Sequence, residues 1–501
     1  MSNGLSRRIS RRYFLGSVGA STVMGSQVFA GPPTASLRPE LRGEDFYKRA
    51  VRSAEEIIRS EKLSGQVAFA VADARTGRWL ECENEREGTP PASVTKAITA
   101  LYALDALGAD HRFTTRLCAT GGIVNGEVQG DLILIGGGDP TLDTDGLADM
   151  AAELKVNGVR SVKGDFKVYE ASLPVLRQID PEQPDHVGYN PGVSGIALNY
   201  NRVHFEWKRA GGDYTVTMQG RTEKYRPSVM MAGMQVKDRK APIYTYEDLA
   251  GRDNWTVAKG ALGKGGARWL PVRKPGLYVG DIFATLAGSQ GIRLGRPQMI
   301  TELPTGTLVV TRKSGDLRGI LQDMLKFSTN LTAEMVGLAA TQKRIGAVGS
   351  LRASAAEMNR WAIASLDMVA PKLVDHSGLG DDSTVSALDM ARALLKMRDT
   401  GLRPILKQFV MRDEKGRPND NHPIIVNAKT GTLNFVSGLA GYVTAKDGTE
   451  LVFAIFAADE AKRIKISRAD RERPPGARSW NGRAKRVQQA LIERWGVMYG
   501  G

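Results

Sequence analysis

Apolar positions at the N-terminal end of the chain follow periods that predict regular elements. Residues 67–72 form a short, almost wholly apolar run that predicts a buried strand, and a turn at 75–78 leads to a second strand at 79–82. From residue 93 to residue 107 the apolar positions recur at helical spacing. A further helical stripe precedes the first strand and consists of Phe46, Ala50, Val51, Ala54, Ile57 and Ile58. The predicted order is therefore helix, strand, strand, helix.

The C-terminal end mirrors this order. Two apolar segments at 439–445 and 451–457 flank Lys446-Asp447-Gly448-Thr449, which is a strong signal for a hairpin. A last helix is predicted at about residues 480–495. Because each end supplies strands together with a helix, we predict a single sheet that is built from both ends of the chain.

The pattern changes between about residues 113 and 303, where short apolar segments alternate with turns and glycines, as in 130–138. We interpret this region as a separate, strand-rich module that is inserted between the two ends. A chain of 501 residues is too long for one ordinary hydrophobic core, so more than one domain is expected.

Residues 1–30 have the layout of an export signal. Arg7-Arg8 and Arg11-Arg12 precede a mildly apolar stretch, and the segment contains no acidic residue. Val28-Phe29-Ala30 fits a small-x-small cleavage pattern, and residues 10–15 resemble a twin-arginine signal. We therefore expect an exported, periplasmic protein, with an uncleaved N-terminal arm as the alternative. No apolar run approaches the roughly 18 residues of a membrane-spanning helix.

The chain carries a formal net charge of +15, and its basic residues cluster at 462–465 and 468–486. Neither a recognisable nucleic-acid-binding module nor interleaved aromatic residues accompany these clusters, so no nucleic-acid partner is expected. Two interpretations stay open: peripheral contact with anionic envelope polymers or lipid head groups, and a solvated basic face.

The two cysteines, Cys82 and Cys118, do not form a C-x-x-C pair, which excludes a thioredoxin-type redox motif and a cysteine metal site. In an oxidising compartment they are equally compatible with a disulfide and with two separate thiols. The histidines form no H-E-x-x-H or equivalent cluster, so neither a metal nor a cofactor is expected.

Ser93 is the one serine of the chain that has a lysine, Lys96, three positions later. Residues three apart lie side by side on a helix, so the lysine nitrogen can reach the hydroxyl. A lysine whose pKa is lowered by burial can then act as the base that activates the serine. Pro90-Pro91 places Ser93 near the start of its helix, where backbone donors favour developing negative charge. Alone, this pattern is a weak signal, since exposed helix faces carry it as well.

Two further motifs follow along the chain. Ser328-Thr329-Asn330 directs a proton-relaying hydroxyl and a substrate-binding amide toward one site, although Ser479-Trp480-Asn481 matches the same pattern by accident. Lys429-Thr430-Gly431-Thr432 precedes the C-terminal hairpin and offers a cation with hydroxyls to a carboxylate. On a strand, Lys429 and Gly431 point to the same side, and Gly431 lets a ligand backbone approach closely.

Ser-x-x-Lys, Ser-x-Asn and Lys-Thr-Gly, in this order and on these element types, form the constellation of serine β-lactamases and penicillin-binding proteins. About 235 residues separate Ser93 from Ser328, far more than in a class A β-lactamase. This wide gap resembles the class C low-molecular-mass penicillin-binding proteins, the D-alanyl-D-alanine carboxypeptidase/endopeptidases, which carry an insertion there. Further stretches that resemble the family lie within 130–142, 377–379 and 428–442.

The resemblance implies an α/β (α+β) fold, namely a penicillin-binding and serine β-lactamase-like transpeptidase domain with an inserted strand-rich module. We predict the first part of that domain at 31–112, the insertion at 113–302 and the second part at 303–501. The chain departs from the family pattern at His376, where the family usually has Gly, and at Thr329. The first departure is expected to affect the rim of the site.

The resemblance also implies a role for each motif residue in the chemistry. Ser93 attacks the penultimate D-Ala carbonyl of a peptidoglycan stem peptide, and Lys96 accepts its proton. Ser328 and Lys429 help to return the proton to the leaving amine, and Asn330 orients the substrate.

Substrate and inhibitor binding follow from the same resemblance. The backbone N–H groups of Ser93 and Thr432 form the oxyanion hole, and Thr430 and Thr432 hold the terminal carboxylate. β-Lactams are trapped as a slowly hydrolysed acyl-enzyme on Ser93. The preference for carboxypeptidase or D,D-endopeptidase activity stays open, and so does any β-lactamase activity.

Two other functions remain as alternatives. A catalytically weak penicillin-binding sensor or cell-wall binding protein keeps the same fold, although the presence of Ser93 and Lys96 favours catalysis. A Ser-His-Asp hydrolase requires a histidine near its nucleophile, and Ser377 directly follows His376. Asp375, however, occupies the first glycine position of a G-x-S-x-G elbow, which argues against that class.

Overall fold

Strands and helices alternate along the part of the chain that the structure, a computed structural model, describes: residues 48, 51–249, 251–413 and 415–500. The predicted export signal at 1–30 lies outside these residues, as do Phe46 and Ala50 of the predicted first helix. The helices are α1 (Ala54–Ser60), α2 (Thr95–Leu107), α3 (Thr144–Val156), α4 (Pro275–Ser289), α5 (Leu317–Phe327), α6 (Asn330–Ile345), α7 (Leu351–Leu366), α8 (Ala387–Lys396), α9 (Glu460–Arg463) and α10 (Ala477–Met498). The strands are β1 (Gln66–Asp73), β2 (Trp79–Glu83), β3 (Thr114–Ala119), β4 (Ile123–Val124), β5 (Glu127–Val128), β6 (Leu132–Ile135), β7 (Ser161–Val162), β8 (Phe166–Tyr169), β9 (Arg202–Ala210), β10 (Asp213–Gln219), β11 (Ala232–Lys237), β12 (Tyr244–Leu249), β13 (Arg252–Ala258), β14 (Gly265–Pro271), β15 (Gln298–Ile300), β16 (Thr307–Lys313), β17 (Ile425–Leu433), β18 (Val436–Thr444) and β19 (Glu450–Ala458).

Strands from both ends of the described chain meet in one antiparallel sheet, in the order β17-β18-β19-β1-β2. β1 pairs with β19 along its whole length, from Gln66 opposite Ala458 to Asp73 opposite Leu451. The prediction of a single sheet built from both ends is therefore confirmed. The predicted hairpin is confirmed as well, and its two strands are β18 and β19.

Helices cover both faces of this sheet because its central strands are apolar on both sides. In β1, Ala68 and Ala70 pack into a core with α2, α5, α6, α7 and α8. The alternate residues Val67, Phe69 and Val71 pack into a second core with α1 and α10. A strand that is buried on both faces has a continuous apolar sequence, which explains the uninterrupted run predicted as a strand.

The region between the first and second motifs forms the inserted strand-rich module that the sequence predicts. It contains the five-stranded sheet β15-β8-β6-β3-β16, three sheets of three strands each and a hydrophobic core of its own, to which α3 and α4 contribute. β16 pairs with β3 and extends this sheet past residue 302. We therefore keep the boundary near 112 as a proposal, and in place of 302 we propose a second boundary after Lys313, which leaves the sheet intact.

Cys82 on β2 and Cys118 on β3 are both free thiols, so the structure favours two separate cysteines over a disulfide. No helix in the described part of the chain combines the length and the apolar character that a membrane crossing requires.

Candidate active site

Ser93 stands at the entrance to α2, in a 3-10 turn at Ala92–Val94. The turn is tight, since Ala92 has a φ of 48°, a left-handed conformation that is uncommon outside glycine. β17 packs directly against it, and a Cβ atom at Gly431 would lie 2.5 Å from the carbonyl oxygen of Pro91. Position 431 therefore requires glycine because the backbone of Pro91 lies so close. The sequence analysis had instead attributed this glycine to the approach of a ligand backbone.

Lys96 is fully buried and directs its ammonium group at three oxygen atoms. Its Nζ donates to Ser93 Oγ at 3.0 Å, to Asn330 Oδ1 at 2.7 Å and to the Ser377 carbonyl at 2.8 Å. An ammonium group has three donors, so all of them are used. The hydroxyl of Ser93 is thereby placed within proton-transfer distance of a fixed amine.

Burial and charge act on Lys96 in opposite directions. Burial lowers the pKa of Lys96 because the ammonium group loses its hydration, and this effect is the larger one. The carboxylates of Glu334 and Asp375 raise the pKa in turn. A lowered pKa increases the share of neutral amine near pH 7, and only the neutral amine accepts a proton.

A second lysine holds the hydroxyl of the second motif. Lys429 Nζ donates to Ser328 Oγ at 3.0 Å and to the carbonyl of Thr430 at 2.7 Å. Ser328 ends α5 with a φ of 58°, and this left-handed residue separates α5 from α6. Burial, assisted by the positive charges of Lys96 and Lys407, lowers the pKa of Lys429 to about 7.

Asn330 links the inserted module to the catalytic centre. It is the first residue of α6, and its Oδ1 accepts the bond from Lys96. Its Nδ2 donates to the carbonyl of Tyr189, which belongs to the insertion, at 2.9 Å. The amide therefore has a fixed orientation, with its oxygen toward the base and its nitrogen toward the wall of the site.

The three motifs border a common cavity of about 340 Å³. Ser93, Ser328, Asn330 and Thr432 line it. On β17 Lys429 and Gly431 are buried, whereas Thr430 and Thr432 are exposed, as the alternation of the strand predicts. Thr430 contributes its carbonyl to Lys429, and its side chain lies outside the lining of this cavity.

Ion pairs form another wall of the cavity, and sequence analysis recognised only Arg463 and Arg471 among their residues, as parts of the basic clusters. Asp381 accepts hydrogen bonds from both Arg463 and Arg471, the latter at 2.6 Å. Glu472 accepts from Arg268 of the insertion at 2.9 Å and lies 2.8 Å from His186. These bonds lower the pKa of Glu472 to about 2, so the wall stays charged across the neutral range.

His376 does not lie at the rim of the site, so that expectation is wrong. Its side chain is completely buried, and burial lowers its pKa to about 3, which keeps it neutral. The ring occupies the space over Gly337, where an added Cβ would lie 2.2 Å from the imidazole, and Nε2 lies 2.8 Å from Ser354 Oγ. Ser377 and His376 therefore do not form the Ser-His pair of a hydrolase. The Ser377 hydroxyl accepts a hydrogen bond from the Leu379 amide, and the ring of His376 bonds to Ser354.

Three contributors to the centre were missed by sequence reasoning: Glu334, Asp375 and the carbonyl of Ser377. Glu334 was visible in principle, because it follows Asn330 by four residues and so shares its helix face. The Ser377 carbonyl had no such signal, since a backbone acceptor is the same in every residue. Within the described residues, no group of three or more His, Cys, Asp or Glu side chains is arranged to hold a metal ion.

Comparison with known proteins agrees with this geometry. The model of the D-Ala-D-Ala carboxypeptidase 3 (S13) family matches residues 50–472. The chain belongs to this family. It is accordingly a serine-type D-Ala-D-Ala carboxypeptidase, and the resemblance drawn from the three motifs is confirmed.

Individual relatives are distant but cover most of the chain. A D-alanyl-D-alanine carboxypeptidase from Actinomadura sp. (strain R39) is 27% identical over 472 residues, which is 85% of this chain and 86% of the relative. The D-alanyl-D-alanine carboxypeptidase DacB of Haemophilus influenzae is 24% identical over 390 residues, 73% of this chain and 79% of the relative. The crystal structure of penicillin binding protein 4 (dacB) from H. influenzae superposes with a TM-score of 0.68 at 20% identity, over 81% of this chain and 93% of that one. The predicted fold class is thereby confirmed.

Proposed function

We propose that this S13 enzyme cleaves peptidoglycan stem peptides through an acyl-enzyme on Ser93. The observation that carries the proposal is the 3.0 Å hydrogen bond from the buried Lys96 to Ser93 Oγ. In its neutral form Lys96 takes the proton as the hydroxyl attacks the penultimate D-Ala carbonyl. The backbone N–H groups of Ser93 and Thr432 are assigned to the developing oxyanion.

The second lysine serves the departure of D-Ala. Ser328 lies 3.0 Å from Lys429 Nζ and shares the cavity with Ser93, so the pair is suited to pass a proton to the leaving amine. A pKa of about 7 lets Lys429 exist in both protonation states near neutral pH. Asn330 and Thr432 line the cavity and are assigned to substrate binding. Thr430 and Gly431 support it indirectly, Thr430 through its carbonyl bond to Lys429 and Gly431 through the shape of the turn.

We also propose D,D-endopeptidase activity on cross-linked stem peptides. A second cavity of about 720 Å³ adjoins the first, and Glu472 lines both. His186, Tyr244 and Arg268 of the insertion form one side of it, and Arg468 forms part of the other. The combined space supports binding of a substrate larger than a terminal D-Ala-D-Ala unit.

A digest of purified muropeptides tests this function. Pentapeptide monomers and cross-linked dimers are incubated with the protein and, as a blank, with Ser93→Ala, and the products are identified by mass spectrometry. We expect D-Ala release from the monomers and splitting of the dimers by the wild type alone. If a folded wild-type protein changes neither substrate, the sensor or cell-wall binding function takes the place of the enzyme.

β-Lactam binding and an envelope location complete the proposal. Penicillin binding protein 4 from H. influenzae is described in one solved structure as complexed with a β-lactam, and it shares the fold of this chain. The family and the signal-like segment at 1–30 support an exported, periplasmic enzyme, with the twin-arginine route as the proposed path.

We expect peripheral binding to anionic envelope surfaces through the basic loop, defined here as residues 462–478. Lys465, Arg473 and Arg478 are exposed on it. Each basic residue near an anionic lipid surface contributes about 1 kcal/mol. Changing all three to glutamate should therefore lower association with phosphatidylglycerol vesicles about 100-fold or more at low salt, measured by cosedimentation.

A matched triple variant controls for net charge. Lys155, Lys163 and Arg293 are also exposed, lie in the inserted module and are changed to glutamate in the same way. We expect this control to reduce vesicle binding far less. Equal losses in both variants would show that overall charge is responsible, and unchanged binding in both would favour the solvated basic face.

A further inference from the structure

Two buried carboxylates lie behind Lys96 and have no part in the proposed chemistry. Glu334 is fully buried on α6, one turn after Asn330, and Asp375 is 3% exposed in the segment that follows α7. Neither accepts a hydrogen bond from the lysine, whose three acceptors are all neutral. Burying two carboxylates is costly unless each is hydrogen-bonded and balanced by positive charge.

Both carboxylates accept hydrogen bonds from backbone N–H groups of a single loop, residues 375–380. Glu334 accepts the N–H of His376 at 3.0 Å and the N–H of Ser377 at 2.9 Å. Asp375 accepts the N–H groups of Gly378 and Gly380, each at 2.6 Å. Four charge-assisted bonds therefore fix the loop, and they do so on both sides of the Ser377 carbonyl.

This loop contacts both parts of the nucleophile pair. The Ser377 carbonyl accepts from Lys96 at 2.8 Å. Gly378, with a φ of 73°, packs so closely that an added Cβ would lie 1.9 Å from the carbonyl oxygen of Ala92, the neighbour of Ser93. A small displacement of the loop would therefore move two groups together: the Ser377 carbonyl that binds Lys96, and Gly378, which packs against the turn that carries Ser93.

Charge balance points to the same pair of residues. The charged groups that act on Lys96 are Glu334 from α6, Asp375 from the loop and Lys429 from β17. His376 packs beside them but stays neutral. Burial raises the pKa of both carboxyl groups, and the ammonium group of Lys96 lowers the pKa of each in turn. Each carboxylate and the ammonium group of Lys96 therefore stabilise one another's charged form, and removal of either carboxylate disfavours the ammonium form of Lys96.

We propose that Glu334 and Asp375 are positioning residues of the acylation step, which hold the Ser377 carbonyl against Lys96 and supply the negative charge that balances its ammonium form. The proposal rests on the function of Ser93 and Lys96 described above. It assigns the pair no contact with substrate.

The sign of the expected pH effect follows from the charge. Neutralising Glu334 or Asp375 removes an interaction that favours the ammonium form, so the pKa of Lys96 falls. The acid limb of the profile of kcat/KM against pH reports the base of the free enzyme and should move to lower pH. Because neither carboxylate is in direct contact with Lys96, we expect the loss of one of them to shift the acid limb by about one pH unit.

Glu334→Gln, Asp375→Asn and Glu334→Asp separate charge from geometry. We expect both amide variants to shift the acid limb to lower pH, because the negative charge is lost. We also expect them to lose about ten-fold in kcat/KM at the optimum, because the amide nitrogen would face a backbone N–H that needs an acceptor. Glu334→Asp keeps the charge but shortens the reach, so we expect a comparable loss of rate without the shift. Hydrolysis of a short D-Ala-D-Ala peptide is followed, and folding is checked by thermal unfolding.

Glu357→Gln is the matched control, because Glu357 is a buried carboxylate on α7 that pairs with Arg360 and Arg344 and not with the loop. Its acid limb should stay at the wild-type pH. The proposal is overturned if the folded amide variants keep the wild-type limb, or if the control moves as far as they do. If the folded wild-type protein does not hydrolyse the peptide at all, the proposed function itself is refuted.

Discussion

Exchange of Ser93 for alanine is expected to abolish both D-Ala release and labelling by penicillin. Among the motif hydroxyls of the described residues, that of Ser93 is hydrogen-bonded to the buried base Lys96 and also faces the cavity. Without it no acyl-enzyme forms, and the activity should fall about 10⁴-fold or more. Intact-protein mass spectrometry after exposure to benzylpenicillin should show one added acyl group on the wild type and none on the variant.

Ser479→Ala is the control for this experiment. Ser479 belongs to the second Ser-x-Asn sequence of the chain and is exposed on α10, so its loss should leave labelling unchanged. Peptide mapping of the labelled wild type should place the acyl group on the peptide that contains Ser93. Wild-type labelling of a folded Ser93→Ala protein would refute the nucleophile assignment.

Lys96→Met is expected to slow acylation by a factor of about 10² to 10⁴, the range of a general base. Methionine fills a similar volume but cannot accept the proton of Ser93, and it leaves the oxygens of Asn330 and Ser377 without their donor. The rate of reaction with a chromogenic β-lactam, measured by stopped flow, reports acylation directly.

Lys407→Met tests whether loss of a positive charge alone explains the effect. Lys407 is exposed and acts on Lys429 only through its charge. We expect its acylation rate to stay within a few-fold of the wild type. A Lys96→Met rate within ten-fold of the wild type would show that another group takes the proton.

The ends of the fold and the motif residues were predictable because their signals are local. β1 and β19 are continuous apolar runs, and Ser93 and Lys96 lie one helical turn apart. The order of the three motifs assigned Asn330 to the same site as Ser93, and the structure shows its Oδ1 at 2.7 Å from Lys96 Nζ. The inserted module was predicted only as strand-rich, since several of its strands are as short as two residues and carry no period.

The remaining features depend on contacts between distant segments. The Ser377 carbonyl reaches Lys96 across 281 residues, and nothing in the type of residue 377 encodes that contact. The burial of His376 follows from the missing side chain at Gly337, on another helix. The role of Gly431 likewise depends on where the Pro91 carbonyl lies, and a sequence pattern contains no such distance.

The pairing of β1 with β19 has a consequence for biosynthesis. The partner of residues 66–73 is residues 451–458, so all residues up to 458 must be synthesised before this strand pair can form. Such a high contact order makes folding slow, and it leaves the apolar β1 exposed during translation. The inserted module has its own core and is able to condense first, which would bring the two halves closer. A chain truncated before residue 425 would lack not only Lys429 but also the strands against which the Ser93 turn is built, and so should be a target for degradation, not a partly active enzyme.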